Sequence, residues 1–222
     1  LAPVAGRPDE IDILDLDGDG DRDILLTQAA GEEVVVLRNE GNGTFASPGL
    51  HGGTTDAYFA HSAPGDVDSD GDPDLVFSRS IAGMTPSLYR NRGDGTFDPR
   101  EPLNTPLFSL AGVDLGDLDG DLDLDVVLIS ELGPLVYVLR NNGEGLFTPW
   151  DSFPSGVETQ FGSKVTVADL DEDGFADVIV PAGNTFRVGV LRGGVSGLKP
   201  ATFHELCGQP TYVAAADLDG DG

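Results

Sequence analysis

Asp15-Leu16-Asp17-Gly18-Asp19-Gly20-Asp21-Arg22-Asp23 sets an aspartate at every odd place of a nine-residue phrase. The phrase returns at 66–74, 117–125 and 169–177, and begins a fifth time at Asp217-Leu218-Asp219-Gly220-Asp221-Gly222. Its first aspartate recurs after 51, 51, 52 and 48 residues. Self-similarity at such a period marks a repeat architecture, in which one unit cannot bury its apolar face without a neighbour. The chain therefore reads as a single repeat domain over 1–222. Its repeats fall approximately at 9–59, 60–110, 111–162 and 163–210, with a partial fifth at 211–222.

Strands can be placed inside one repeat from pattern alone. In the fourth, Lys164-Val165-Thr166-Val167-Ala168 alternates apolar and polar residues, as a half-buried strand does. Beyond the acidic phrase, Val178-Ile179-Val180 and Arg187-Val188-Gly189-Val190-Leu191 read as second and third strands. A turn follows in the first three repeats: Asn39-Glu40-Gly41-Asn42-Gly43-Thr44-Phe45 and its counterparts at 91–97 and 141–147. The fourth has a degenerate Gly193-Gly194-Val195-Ser196-Gly197. Asn and alternating Gly supply the positive-φ positions of a tight hairpin. Phe45, Phe97 and Phe147 are then expected to start a fourth strand and point into the core. Four short antiparallel strands per repeat predict an all-β fold of four-stranded blades, of β-propeller type and partial or open, with one acidic loop per repeat. The rival is a β-solenoid, whose coils repeat about every 20 to 30 residues. A helical repeat is excluded by 31 Gly, 15 Pro and the β-branched runs.

The formal charge is −27, from 39 acidic and 12 basic residues, yet 39% of the chain is hydrophobic. Twenty-two of the acidic residues are aspartates of the five phrases, so the charge is concentrated in loops rather than spread along a disordered tail. The basic residues form no patch, which excludes nucleic acid and anionic membranes as expected partners. No apolar run approaches the roughly 18 residues of a membrane span, so no membrane insertion is expected. Leu1-Ala2-Pro3-Val4 carries no charged leader region. The single Cys207 makes no intrachain disulfide and is expected to be a small half-buried residue.

Carboxylates crowded in this way repel one another unless a hard cation with oxygen ligands sits among them. An EF-hand would need Glu at place 12 and flanking helices, but Leu26, Phe77, Leu128 and Val180 stand there within apolar runs. A dockerin-type loop fails on the same residues. A nine-position loop between two strands remains. Gly20, Gly71 and Gly174 at position 6 permit its left-handed reversal, whereas Leu122 in the third loop predicts strain or displaced ligands.

These repeats resemble the FG-GAP/VCBS repeat family, known from the propeller of integrin alpha subunits, over nearly the whole chain. The resemblance implies a calcium ion in each loop, held by side chains at positions 1, 3, 5 and 9 and by the carbonyl at position 7. On this sequence the side-chain ligands would be Asp15, Asp17, Asp19 and Asp23; Asp66, Asp68, Asp70 and Asp74; Asp117, Asp119, Asp121 and Asp125; and Asp169, Asp171, Asp173 and Asp177. Asp21, Asp72, Asp123 and Phe175 would give the carbonyls. About four complete Ca²⁺ sites are expected, with a truncated fifth at Asp217, Asp219 and Asp221. Calcium loops would share one face, leaving the opposite face for recognition.

Catalytic chemistry is not expected. His51, His61 and His204 stand in no metal or triad motif, no Gly-x-Ser-x-Gly or P-loop occurs, and His61 reads as a packing histidine. The recognition face would be built from links within blades (27–33, 78–86, 130–134, 181–186) and between them (46–60, 98–111, 148–163, 200–212). These carry Tyr58, Phe59, Phe108, Trp150, Phe153, Phe161 and Tyr212, with Trp150 the candidate ligand-binding residue. The expected function is an extracellular calcium-binding β-propeller scaffold for adhesion or protein recognition, its calcium structural, in a space where calcium is plentiful enough for weak sites. The alternatives are a self-assembling structural subunit of a filament or surface assembly, and a carbohydrate-binding propeller lectin. In each case a protein or glycan ligand would sit at the loop face opposite the calcium loops.

Overall fold

The repeats fold into four separate four-stranded antiparallel sheets, each running in chain order as a meander. The computed structural model describes residues 10–28, 33–46, 49–52, 59–79, 85–105, 109–148, 151–159, 163–183 and 185–217. Blade 1 holds β1 (Glu10–Leu14), β2 (Asp23–Gln28), β3 (Glu33–Leu37) and β4 (Gly49–Gly52). Blade 2 holds β5 (Phe59–Gly65), β6 (Asp74–Arg79), β7 (Ser87–Tyr89) and β8 (Glu101–Pro102). Blade 3 holds β9 (Leu110–Gly116), β10 (Asp125–Ser130), β11 (Leu135–Leu139) and β12 (Asp151–Pro154). Blade 4 holds β13 (Thr166–Ala168), β14 (Asp177–Ala182), β15 (Arg187–Leu191) and β16 (Thr202–Glu205).

The core lies between blades rather than inside any one of them. Successive side chains of a strand point to opposite faces, and in β10 both faces are apolar. Val126 and Leu128 pack with Ala63, Val76 and Leu88 of blade 2, whereas Val127 and Ile129 pack with Val165, Val178 and Val180 of blade 4. A third apolar layer joins blades 1 and 2 through Leu25, Val34, Val36, Leu75, Phe77 and Tyr89. This two-faced burial explains why the second strands read as unbroken apolar runs instead of alternating ones.

First strands line an inner edge. The residues five places before the first loop aspartate are Glu10, His61, Gly112, Lys164 and Tyr212, and those with side chains meet one another. Lys164 pairs with Glu10, His61 Nδ1 stands 3.7 Å from Glu10 Oε1, and Tyr212 meets His61 edge-on at 5.7 Å between ring centroids. Blades 1, 2 and 4 and the fifth repeat's opening segment thus turn about one axis. That segment follows β13, with Lys164 N donating to Thr211 O and Thr166 Oγ1 to Val213 O.

Two expectations are corrected. The turn phenylalanines do not begin the fourth strands: Phe45 and Phe97 form one-residue bridges to Asn39 and Asn91. The fourth strands start later, at Gly49, Glu101 and Asp151, inside stretches read from sequence as links between blades. Phe97 is buried between blades 1 and 2, but Phe45 is exposed. Cys207 is exposed rather than half-buried.

Candidate metal centre

Each acidic loop joins the first strand of its blade to the second, and in blades 1 to 3 an apolar side chain at position 2 pins it. Leu16, Val67 and Leu118 are buried in the layer shared with the next blade. Two left-handed residues reverse the chain, not one. Position 6 has φ of 91° at Gly20, 95° at Gly71, 73° at Leu122 and 85° at Gly174; position 4 has 72° at Gly18, 60° at Ser69, 82° at Gly120 and 55° at Glu172. Leu122 therefore adopts the strained conformation, and the third loop keeps its shape. The sequence reading missed position 4 because two of its four residues are not glycine.

Hydrogen bonds within the loop fold the aspartates inward. The position-1 carboxylate accepts from the amide of residue 6: Gly20 N to Asp15 at 2.9 Å, Gly71 N to Asp66 at 2.9 Å, Leu122 N to Asp117 at 2.9 Å and Gly174 N to Asp169 at 2.9 Å. Asp19, Asp70, Asp121 and Asp173 at position 5 each accept from the amide two residues on. Oxygens of Asp15, Asp17 and Asp19 thereby come within 4.8 Å of one another, as do those of Asp66, Asp68 and Asp70 and of Asp117, Asp119 and Asp121. In the fourth loop the group is Asp169, Asp171 and Asp177.

Position 9, expected as a ligand, joins the cluster only in the fourth loop, and it has a task that the spacing did not reveal. Asp23, Asp74, Asp125 and Asp177 are buried, and each splits its two oxygens between the amide of position 2 and the amide that opens the turn after the third strand. Burial outweighs those bonds at Asp74 and Asp125 and pushes each carboxyl up to about 6. Burial also raises Asp17 and Asp119, helped by neighbouring aspartates. At position 7 the side chains of Asp21, Asp72 and Asp123 lie against Gly41, Gly93 and Gly143 of their own blade's turn, where a Cβ would collide.

The donor set fits a hard divalent cation. Asp17 Oδ1, Asp66 Oδ1, Asp68 Oδ1 and Asp119 Oδ1 are buried and accept no hydrogen bond. A buried anionic oxygen without a partner is costly, and four of them at positions 1 and 3 match the oxygen ligands such an ion takes. Each blade also brings one arginine to its loop. Arg38 Nη1 lies 3.7 Å from Asp17 Oδ2, Arg90 binds Asp68 Oδ2, Arg140 Nη1 is 3.2 Å from Asp119 Oδ2 and Arg192 Nη1 is 3.4 Å from Asp171 Oδ2. The recurrence of Arg directly after the third strand was visible in the sequence, but its partner was not.

Of the remaining sequence candidates, Asp217 is exposed at the end of the described chain, and Trp150, Asp219 and Asp221 lie outside the described residues. Tyr58, Phe108 and Phe161 also lie outside them. His61 is buried and packs against Tyr212, as expected of a packing histidine. At the opposite strand ends from the acidic loops, a pocket of about 220 Å³ is lined by Glu131, Leu132, Gly133, Glu158 and Thr159. Glu131 accepts the Ser109 hydroxyl through Oε2, while its Oε1 is buried without a partner, and burial raises its carboxyl. Among the described residues no helix is long and apolar enough to cross a membrane.

No curated protein matches the chain. Among solved structures, a lectin of Agrocybe aegerita that recognises non-reducing terminal N-acetylglucosamine is similar at 24% identity and TM-score 0.58, over 87% of this chain and 52% of its own. An auxiliary nutrient binding protein of Bacteroides ovatus is 12% identical with TM-score 0.56, over 90% of this chain and 47% of its own. The NanB sialidase of Streptococcus pneumoniae is 12% identical with TM-score 0.55, over 84% of this chain and 29% of its own. The chain spans about half the length of the lectin, and at these identities the likeness is one of fold. The FG-GAP-like repeat pattern matches residues 15–77, 80–128 and 117–180. With its acidic loops and four meander blades accounted for, the chain belongs to the FG-GAP-like repeat family.

Proposed function

We propose that this chain is an extracellular carbohydrate-recognition scaffold of propeller type, stabilised by one calcium ion in each of its four acidic loops and acting by binding rather than catalysis. The observation that carries the reading is the pocket beneath the β10–β11 link, on the face away from the acidic loops. Its Glu131 Oε1 is a buried acceptor in want of a donor, Glu158 and Thr159 add polar groups, and exposed Leu132 gives an apolar side. Sugar hydroxyls are such donors, and small polar constellations of this kind fix ligand orientation. The fold likeness to the N-acetylglucosamine lectin supports the same class of ligand. Orphaned oxygens at positions 1 and 3 support calcium, and weak aspartate-rich sites suit the calcium level outside cells.

The test is calcium-loaded protein on immobilised oligosaccharides, including chains ending in N-acetylglucosamine. Binding is expected, weakened about tenfold in Glu131→Gln, which exchanges a charged acceptor for a neutral one. Retention of no glycan by folded, calcium-loaded protein would overturn the carbohydrate reading.

Self-assembly is the second reading, and a specific surface favours it. Ile11 and Ile13 of β1 are 60% and 59% exposed, whereas Val113 and Val165, which occupy the place of Ile11 in blades 3 and 4, are fully buried against the preceding blade. At the other end Leu170 is 40% exposed, where its counterparts Leu16 and Leu118 are buried. Two open apolar faces of opposite kind can join head to tail. Light scattering over a concentration series separates the readings, since only the assembly grows.

A further inference from the structure

The four arginines after the third strands do more than balance charge. In blades 1 to 3 each guanidinium lies on the Oδ2 side of the position-3 aspartate, while that residue's Oδ1 is buried and unpartnered, and the residue belongs to the cluster of three aspartates in its loop. The same guanidinium also reaches the next blade. Arg38 Nη1 donates to Asp94 O at 3.3 Å and Arg90 Nη2 donates to Gly145 O at 3.0 Å. The last glycine of the following turn packs on the arginine in three successive blades: Gly95 on Arg38, Gly145 on Arg90 and Gly197 on Arg140. At Gly145 a Cβ would stand 2.6 Å from both terminal nitrogens of Arg90. In blades 3 and 4 the fork also bridges to position 9, Arg140 reaching Asp125 Oδ2 at 2.6 Å and Arg192 reaching Asp177 Oδ2.

We propose that Arg38, Arg90, Arg140 and Arg192 are positioning residues of the calcium loops, each holding one oxygen of the position-3 aspartate so that the other faces the ion. In blades 1 to 3 the arginine is also a strut to the next blade, so the ion in one loop and the turn of its neighbour are fastened to the same guanidinium. A planar fork suits this task, because it can grip a carboxylate and a carbonyl at once in fixed geometry. Groups that hold a metal-ligating side chain in place typically contribute one to two decades of metal affinity. The opposite effect is also physically available. A guanidinium beside the site repels a divalent cation, so its removal would raise affinity if charge outweighed geometry. The sign of the change therefore decides the matter.

The inference rests on the calcium reading, and the first measurement separates the two. Wild-type protein is titrated with calcium against a chromophoric chelator, which gives the number and affinity of sites. Absence of calcium binding would overturn the calcium reading itself. With binding present, Arg90→Gln is expected to weaken one site about tenfold or more and leave the others unchanged. Arg90→Lys keeps the charge but not the fork, and is expected to be nearly as weak. Arg92→Gln removes an equal charge from the same blade, where Arg92 pairs with Asp98 in the turn, and is expected to bind as wild type does. Gly145→Ala alters no group of the second loop, yet by crowding Arg90 it is expected to weaken that loop's site. Should Arg90→Gln fail to fold, Arg38→Gln gives the same answer at a half-exposed arginine. Unchanged or tighter calcium binding in Arg90→Gln or Arg38→Gln would overturn the proposal while leaving the calcium reading intact.

Discussion

Leu122 holds the left-handed conformation at φ 73° with 87% of its surface exposed, so no packing compensates its backbone. A non-glycine residue in that region costs roughly 1–2 kcal/mol. Glycine would remove the strain but enlarge the unfolded ensemble by roughly 0.5–1 kcal/mol. Leu122→Gly is therefore expected to stabilise the protein by about 0.5–1 kcal/mol, read as a higher urea midpoint at saturating calcium. The bond from the residue-122 amide to Asp117 uses backbone only and survives the change. A lower midpoint would mean that the freedom glycine adds to the unfolded chain outweighs the strain it removes.

At the scale of the element, the loops of blades 1 and 2 are locked to the turn of the next blade. Asn91 Nδ2 donates to Leu16 O at 2.8 Å and Asn141 Nδ2 donates to Val67 O at 2.7 Å, both buried. Asn39 of blade 1 donates to Arg22 O of its own loop, a bond that Asn91 and Asn141 also make, to Pro73 O and Leu124 O. Blade 4 has Gly193 in that place, and there the backbone takes over, with Ala176 N donating to Asp117 O at 2.8 Å. A Cβ on Gly193 would strike Ala176 O, which explains why the turn loses its asparagine there. Asn141→Ala leaves the Val67 carbonyl buried without a donor and is expected to cost about 1–3 kcal/mol. Asn39→Ala, at a more exposed bond, is expected to cost less than half as much, both measured by urea unfolding in calcium. Equal losses would deny the inter-blade lock its role.

How much of this could be read in advance follows from sequence distance. Acidic phrases, second strands and Asn-Gly turns are written in neighbouring residues, so their types and places were legible. The fourth strands were not: Glu101-Pro102 and Gly49-Leu50-His51-Gly52 carry no β-branched run, and are strands because a third strand offers them its open edge. Locks such as Asn141 to Val67 span 74 residues, and the partner of such a side chain is set only once the blades are side by side. Position 9 was legible as a carboxylate but not as the acceptor of two amides, since one of them comes from beyond the third strand.

For the whole molecule, two buried sets of carboxylates pull stability in opposite directions with pH. At the inner edge, burial would raise Glu10, but hydrogen bonding by His61 and the charge of Lys164 together hold it at about 2. Asp12 and Asp114 face the same lysine and are raised, chiefly by burial. Because Glu10 is depressed in the folded state, its contribution is present above its unfolded value of 4.5 and is lost as pH falls from there toward about 2. Asp74 and Asp125, raised from 3.8 to about 6, act the other way: their contribution is complete below 3.8 and is lost as pH rises through 6. In chelator, stability is therefore expected to peak at about pH 4, where the gain from Glu10 gives way to the loss from Asp74 and Asp125, and to decline on both sides, levelling off above about pH 6. Calcium binds the ionised loops, so at millimolar calcium the decline between about pH 4 and pH 6 should vanish and the optimum move to neutrality. Glu10→Gln should depress both curves at neutral pH, with the gap to wild type narrowing below pH 4.5 and closing only toward pH 2, as Glu10 itself takes up a proton. Thermal unfolding from about pH 2 to pH 8, with chelator and with calcium, measures all of this. A chelator curve that keeps rising through pH 6 would mean that Asp74 and Asp125 ionise without strain, and that the ion is not what their burial awaits.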